Sequence, residues 1–153
     1  MNSTRAARFA AAYALLRAAA DVADHWIQTD DQAATKGQHD HNDGQSSAVG
    51  RRACAAHVAT YTATQAAALL AGTRLLGIRL RPGPVAAALA LSAATHYLAD
   101  RQGGHWRDEQ PSGVVRLAVV SRGWLQRDPH AAYLLDQAWH HAFETVAALI
   151  ASA

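Results

Sequence analysis

The 153-residue chain has a single cysteine, Cys54, and a single lysine, Lys36. One cysteine excludes an intramolecular disulfide and any Cys-rich zinc module, and makes a reducing cytoplasm the default compartment. Glutamate is nearly as scarce: only Glu109 and Glu144 occur, and neither opens a Glu-x-x-His pair. Ferritin-like di-iron bundles need several inward glutamates, so ferroxidase chemistry is not expected. Arginine supplies almost all the positive charge, but the formal net charge is only +2, which does not mark a nucleic-acid binder. A Gly-rich phosphate loop, a nucleophile elbow and a dinucleotide fingerprint are all missing. Arg5, Arg8 and Arg17 interrupt the first apolar stretch, which argues against a signal peptide. Long hydrophobic runs are missing too. Residues 53–72 carry no formal charge and approach bilayer length, yet they hold His57, Thr60, Thr62, Thr64 and Gln65. Residues 85–99 are too few to span and contain His96. Both stretches read as buried helices of a soluble protein, with peripheral membrane contact left open.

What the chain has is alanine. Half of its residues are apolar, alanine dominates that half, and alanine is the strongest helix former. Four helices follow from the spacing. The first covers about 4–28, with Phe9, Tyr13, Leu16, Ala20 and Ile27 on one stripe and Asp24 among them. Residues 29–47 are polar and read as a mobile loop. Within it, His39-Asp40-His41-Asn42-Asp43 looks like a chelating string but reads as solvated chain. The second helix covers about 49–76, with His57, Tyr61, Ala68 and Leu75 on one face. Arg81-Pro82-Gly83-Pro84 stops it, and Pro84 suits the first position of a third helix running to about 101. Leu89, Ala93, His96 and Asp100 line one side of that helix.

An irregular connection is expected over 102–127, with 114–120 either helix or strand and Trp106 and Trp124 pinning it down. Asp128-Pro129 then reads as a cap and first turn of the last helix, whose stripe holds Asp136, Trp139, His140, Phe143 and Ile150. The expected fold is a single all-α domain, an antiparallel four-helix bundle with a long loop after the first helix and the irregular connection before the last.

The chemistry lies on those stripes. Asp21/His25, His96/Asp100 and Asp136/His140 each stand four residues apart, so each pair shares a helix face. His57 and Asp24 add one residue from each of the other helices. Several carboxylates buried without compensation would unfold a domain of this size, because each costs several kcal/mol, by order of magnitude. A divalent ion removes that penalty, and imidazole with carboxylate suits zinc first, then manganese or ferrous iron. His57, His96, His140 and Asp136 are the expected ligands. Asp24 and Asp100 are further ligands or the general base of a water-activating site, and Gln28 and Gln137 orient them. His141 neighbours His140 but points about a hundred degrees away. The bland alternative is a metal-free Asp–His network that fixes packing.

In these motifs the chain resembles an uncharacterised family of small helical bacterial and phage proteins, often predicted to sit in membranes. The resemblance rests on Asp24-His25-Trp26-Ile27-Gln28, Lys36, His57, His96-Tyr97-Leu98-Ala99-Asp100 and Asp136-Gln137-Ala138-Trp139-His140, in that order. It implies that Asp24, Gln28, His57, His96, Asp100, Asp136, Gln137 and His140 form the functional cluster, but it supplies no activity. The helices here are more polar than those of the membrane-predicted relatives. The expected function is metal-dependent hydrolysis of an ester, phosphoester or amide. The alternative is a non-enzymatic assembly or regulatory protein, and the alanine-rich faces would suit a homodimer.

Overall fold

A computed structural model describes residues 4–102 and 122–153. The described residues are all-helical and contain no strand. Helix α1 is Arg5–Val22 and runs into a π-helical turn, Ala23–Ile27. It is followed by α2 (Asp30–Thr35), α3 (Ser47–Leu75), α4 (Pro82–Asp100), α5 (Arg122–Arg127) and α6 (Ala131–Ala151). The four long helices pack chiefly in the cyclic order α1, α3, α4, α6, each against two others.

The helix ends follow local chemistry. Thr4 caps α1 by accepting from the Ala7 N–H, and Ser46 caps α3 by accepting from the Val49 N–H. The end of α3 is a Schellman turn: Gly77 adopts φ +66°, and the Ile78 and Gly77 N–H groups return to the Thr73 and Arg74 carbonyls. Two expected boundaries shift. Pro82, not Pro84, is the first residue of α4, because Arg81 takes the capping position. Asp128-Pro129 forms a turn in which Asp128 accepts from the His130 N–H, and α6 starts only at Ala131.

The 29–47 stretch is not all loop. Thr29 and Gln32 form a reciprocal capping box that starts α2. Beyond it, Asp40 and Ser47 exchange two hydrogen bonds that fold the segment back onto the start of α3. The expected helix or strand at 114–120, and Trp106 with it, fall outside the described residues. Trp124 lies on α5, where its indole N–H donates to Asp128.

The molecule has an apolar end and a polar end. Ala12, Leu16, Leu69, Ala88, Ala147, Ala148 and Ala151 are buried together, with Phe9, Leu15, Val85, Leu89 and Ile150 against them. These come from Phe9–Leu16 of α1, the first half of α4 and the last parts of α3 and α6. Alanines at such contacts let helix axes approach closely, and Gly72 does the same beneath Leu15. Leu75 and Ile27, each the last residue of its helix, are exposed although expected on buried stripes, and so is Tyr13 within α1.

Candidate metal centre

The opposite halves of the same helices carry the polar cluster. Asp24 comes from the π-helical turn, His57 from α3, His96 and Asp100 from α4, and His140 from α6. In the π-helical turn the Gln28 N–H reaches back to the Ala23 carbonyl, one residue further than in an α-helix. Asp24 is mostly buried in that turn, whereas His25 and Trp26 are exposed.

His57, His96 and Asp100 are almost wholly buried, and their polar atoms converge. His57 Nε2 lies 3.0 Å from His96 Nε2, 3.2 Å from Asp24 Oδ1 and 3.4 Å from Asp100 Oδ2. His96 Nε2 lies 3.5 Å from Asp24 Oδ1 and 3.1 Å from Asp100 Oδ2. An ion held tetrahedrally at about 2.0–2.1 Å separates its ligand atoms by about 3.3 Å. These five separations all lie close to that spacing. Asp24 Oδ1 and Asp100 Oδ2 are buried and accept no hydrogen bond. Orphaned carboxylate oxygens facing two imidazoles are costly without a cation and well satisfied with one. The buried cluster can hold a metal ion, and the residues fit one.

His140 completes a second possible ligand group with His96 and Asp100, all ligand atoms within 4.8 Å. Its ring lies 4.3 Å from that of His96, centroid to centroid. Asp136, expected as a ligand, joins neither group; it touches His140 Nε2 at 3.4 Å and is partly exposed. Of the two expected orienting glutamines, Gln28 caps the π-helical turn with its Nε2 buried and unpartnered. No hydrogen bond joins Gln137 to the cluster. The third expected pair does not form: Asp21 bonds Arg17, and His25 lies against the Tyr133 ring. Cys54 stays outside the cluster, its thiol directed at the Tyr97 carbonyl and pushed up to about 12 by burial.

The electrostatics reflect the crowding. Burial alone would raise the Asp100 carboxyl, but contact with His96 and the Lys36 ammonium outweighs it and holds the group below the usual carboxylate range. Asp24 is lowered in the same way: burial opposes, while His57, His96 and His140 prevail. Burial lowers His96 despite Asp100 beside it. For His140 burial is outweighed by Asp136, Asp24 and Asp100, so its net shift is upward. Neutral His96 is the ligating form.

Lys36 was visible in the sequence only as one matching letter of a resemblance, and its role is structural as well as electrostatic. Its Nζ lies 2.8 Å from Asp100 Oδ1, leaving Oδ2 for the convergence point. Arg101, at the end of α4, holds the segment that delivers it. The guanidinium donates to the Lys36 carbonyl at 2.6 Å and to the Gln38 carbonyl at 2.9 Å. His39 Nε2 meets the Arg101 carbonyl at 2.8 Å, so the supposed solvated string is tied down at its first residue. The strap crosses α3 at Gly50, where an added Cβ would collide with the Gln38 carbonyl and the Arg101 guanidinium. Gly50→Ala is therefore expected to lower stability by about 1–3 kcal/mol and metal affinity about tenfold. Thermal melting and chelator competition check both; unchanged affinity would remove Lys36 from the site.

Beneath the cluster runs a second buried network that sequence reasoning missed. Ser92 donates to Gln65, Gln65 to the Tyr61 hydroxyl, and Tyr61 to Glu144 Oε1 at 2.8 Å. Arg17 donates to Glu144 Oε2 at 2.9 Å. One chain of bonds thus joins all four long helices. Tyr61 also packs its ring 3.9 Å from that of His96, so the network supports the cluster directly.

No family model, curated protein or solved structure matches the chain. No helix among the described residues is long and apolar enough to cross a membrane.

Proposed function

We propose that the protein is a metal-dependent hydrolase, in which His57, His96 and Asp100 would hold a divalent ion with one position left for water, Asp24 would stand beside that water, and His140 would flank the site. The convergence of two imidazole nitrogens with two orphaned carboxylate oxygens, at separations near those of ligands around one ion, carries this reading. Two imidazoles and two carboxylates without thiolate suit zinc best, with manganese or ferrous iron as the alternatives. Lys36 pairs with Asp100, and the charge of Asp24 would be met by a bound cation.

The apolar and polar ends each draw on opposite halves of successive long helices, which supports reading those helices as an antiparallel four-helix bundle. The chain's motifs support membership of the uncharacterised helical family described above.

A bound divalent ion brings the pKa of a coordinated water towards neutrality. Lys36 fixes Asp100, which leaves Asp24, the more accessible of the two carboxylates, to take the water's proton. In hydrolysis the water oxygen would bond to the ester carbon or phosphorus as the bond to the leaving alcohol breaks, and Asp24 would pass the proton to that alcohol. Protein loaded with zinc or manganese should hydrolyse simple nitrophenyl esters or phosphoesters, and Asp24→Asn should lose that turnover while keeping its fold. Stoichiometric metal with no turnover on any such substrate would make the centre structural.

The second reading, a non-enzymatic protein with a structural Asp–His network, draws on the deep burial of His57, His96 and Asp100. It requires that the folded protein take up no ion.

A further inference from the structure

The apolar end of the molecule carries a surface unrelated to the metal centre. At the turn between α3 and α4, Leu75 is 89% exposed, Leu76 60% and Leu70 56%. Leu75 and Leu76, consecutive at the end of α3 and this open to water, are an unpartnered apolar feature. Leu70 also lines a groove of about 490 Å³ that continues past Ile78, Leu80, Val85 and Leu89, with Arg79 at its edge.

The charge around the patch is of one sign. Arg74, Arg79 and Arg81 are exposed on the same turn. The segments that build this end, residues 4–16, 66–90 and 145–153, contain five arginines and no aspartate or glutamate. Every acidic side chain of the described structure lies elsewhere. Such a surface repels basic partners and attracts a dense array of negative charge, while its leucines require an apolar medium. An anionic phospholipid bilayer offers both at once: phosphates at the arginines' level and acyl chains just below.

We infer that the α3–α4 turn docks the protein peripherally on anionic membranes, with Leu75 and Leu76 inserted and Arg74, Arg79 and Arg81 at the headgroups. The groove beside Leu70 then receives part of one acyl chain. Nothing here spans the bilayer; the contact is reversible and weakened by salt, because its charges lie in the screened interfacial region.

The test is co-sedimentation of the intact protein with phosphatidylcholine vesicles, with and without phosphatidylglycerol. Three arginines should give a preference on the order of a hundredfold for the anionic vesicles, reduced at high salt. Leu75→Ser/Leu76→Ser and Arg74→Gln/Arg79→Gln should each abolish most of the binding. All four side chains are exposed, so circular dichroism should show both variants folded. Equal binding to neutral vesicles, no binding to either, or variants that bind like the parent would each overturn the inference. So would a concentration-dependent dimer in sedimentation equilibrium that the leucine variant loses, because the patch would then face a second copy of the chain.

Discussion

Replacing His96 with alanine should lower zinc affinity on the order of a hundredfold or more, since losing even an outer partner of a ligand costs ten- to a hundredfold. His96 has the largest role because its Nε2 faces both Asp24 Oδ1 and Asp100 Oδ2, and its ring is packed between those of Tyr61 and His140. Alanine removes the ligand and also leaves a cavity, so loss of binding must be separated from loss of fold. His96→Gln fills most of the volume and retains a weak oxygen donor. Both variants should melt cooperatively while failing to compete with a chromogenic chelator at concentrations where the parent succeeds. If either folded variant binds zinc like the parent, the ion does not sit where these four side chains converge.

The second large effect lies in the supporting network. Arg17→Met should destabilise the fold by about 2–3 kcal/mol, somewhat less than for a fully buried pair, because the guanidinium is partly exposed. The loss comes from Glu144, which remains buried with Tyr61 as its donor but without a cation. Burial already raises the Glu144 carboxyl, and Tyr61 and Arg17 only partly offset this. A carboxyl raised in the folded state binds its proton more tightly there than in the unfolded chain. Its contribution to stability is therefore full below the unfolded carboxylate value and fades as pH rises through the folded one. Without Arg17 the folded value rises further, so the deficit of Arg17→Met should be larger at pH 8 than at pH 5. Urea unfolding of both proteins at the two pH values measures it. A deficit that is larger in acid, or independent of pH, would show that Glu144 is not the group left exposed to the penalty.

Much of the centre was legible because helix geometry is periodic. His96 and Asp100, four residues apart, share a face, and polar residues recurring on four apolar stripes implied convergence. The errors came where geometry departs from that period. A π-helical turn cannot be read from spacing, and it lies where Asp24 turns inward and the Asp21/His25 pairing fails. Asp136 was placed among the ligands by the same four-residue rule, but that rule gives a shared face and not a shared distance from the cluster.

Glu144 was passed over because it begins no metal motif, although a lone glutamate seven residues before Ala151 on a mostly apolar helix marks a buried partner for arginine. The Arg101 strap was invisible for a different reason. It depends on Gly50, Gln38 and Lys36 meeting through tertiary contact, and the local composition of 29–47 reads only as polar chain. Leu75 at the α3–α4 turn was legible as apolar and misplaced as core, since periodicity does not reveal where a helix outruns its neighbours.

The most direct test of the central claim is the metal content of the purified, tag-free protein by elemental analysis, alongside a folded His96→Gln/Asp100→Asn variant. The account predicts close to one zinc, manganese or iron per chain in the parent, after purification or after incubation with the ion, and none in the variant. A parent that stays metal-free after exposure to each ion would contradict it, and the convergence of Asp24, His57, His96 and Asp100 would then be a packing network alone.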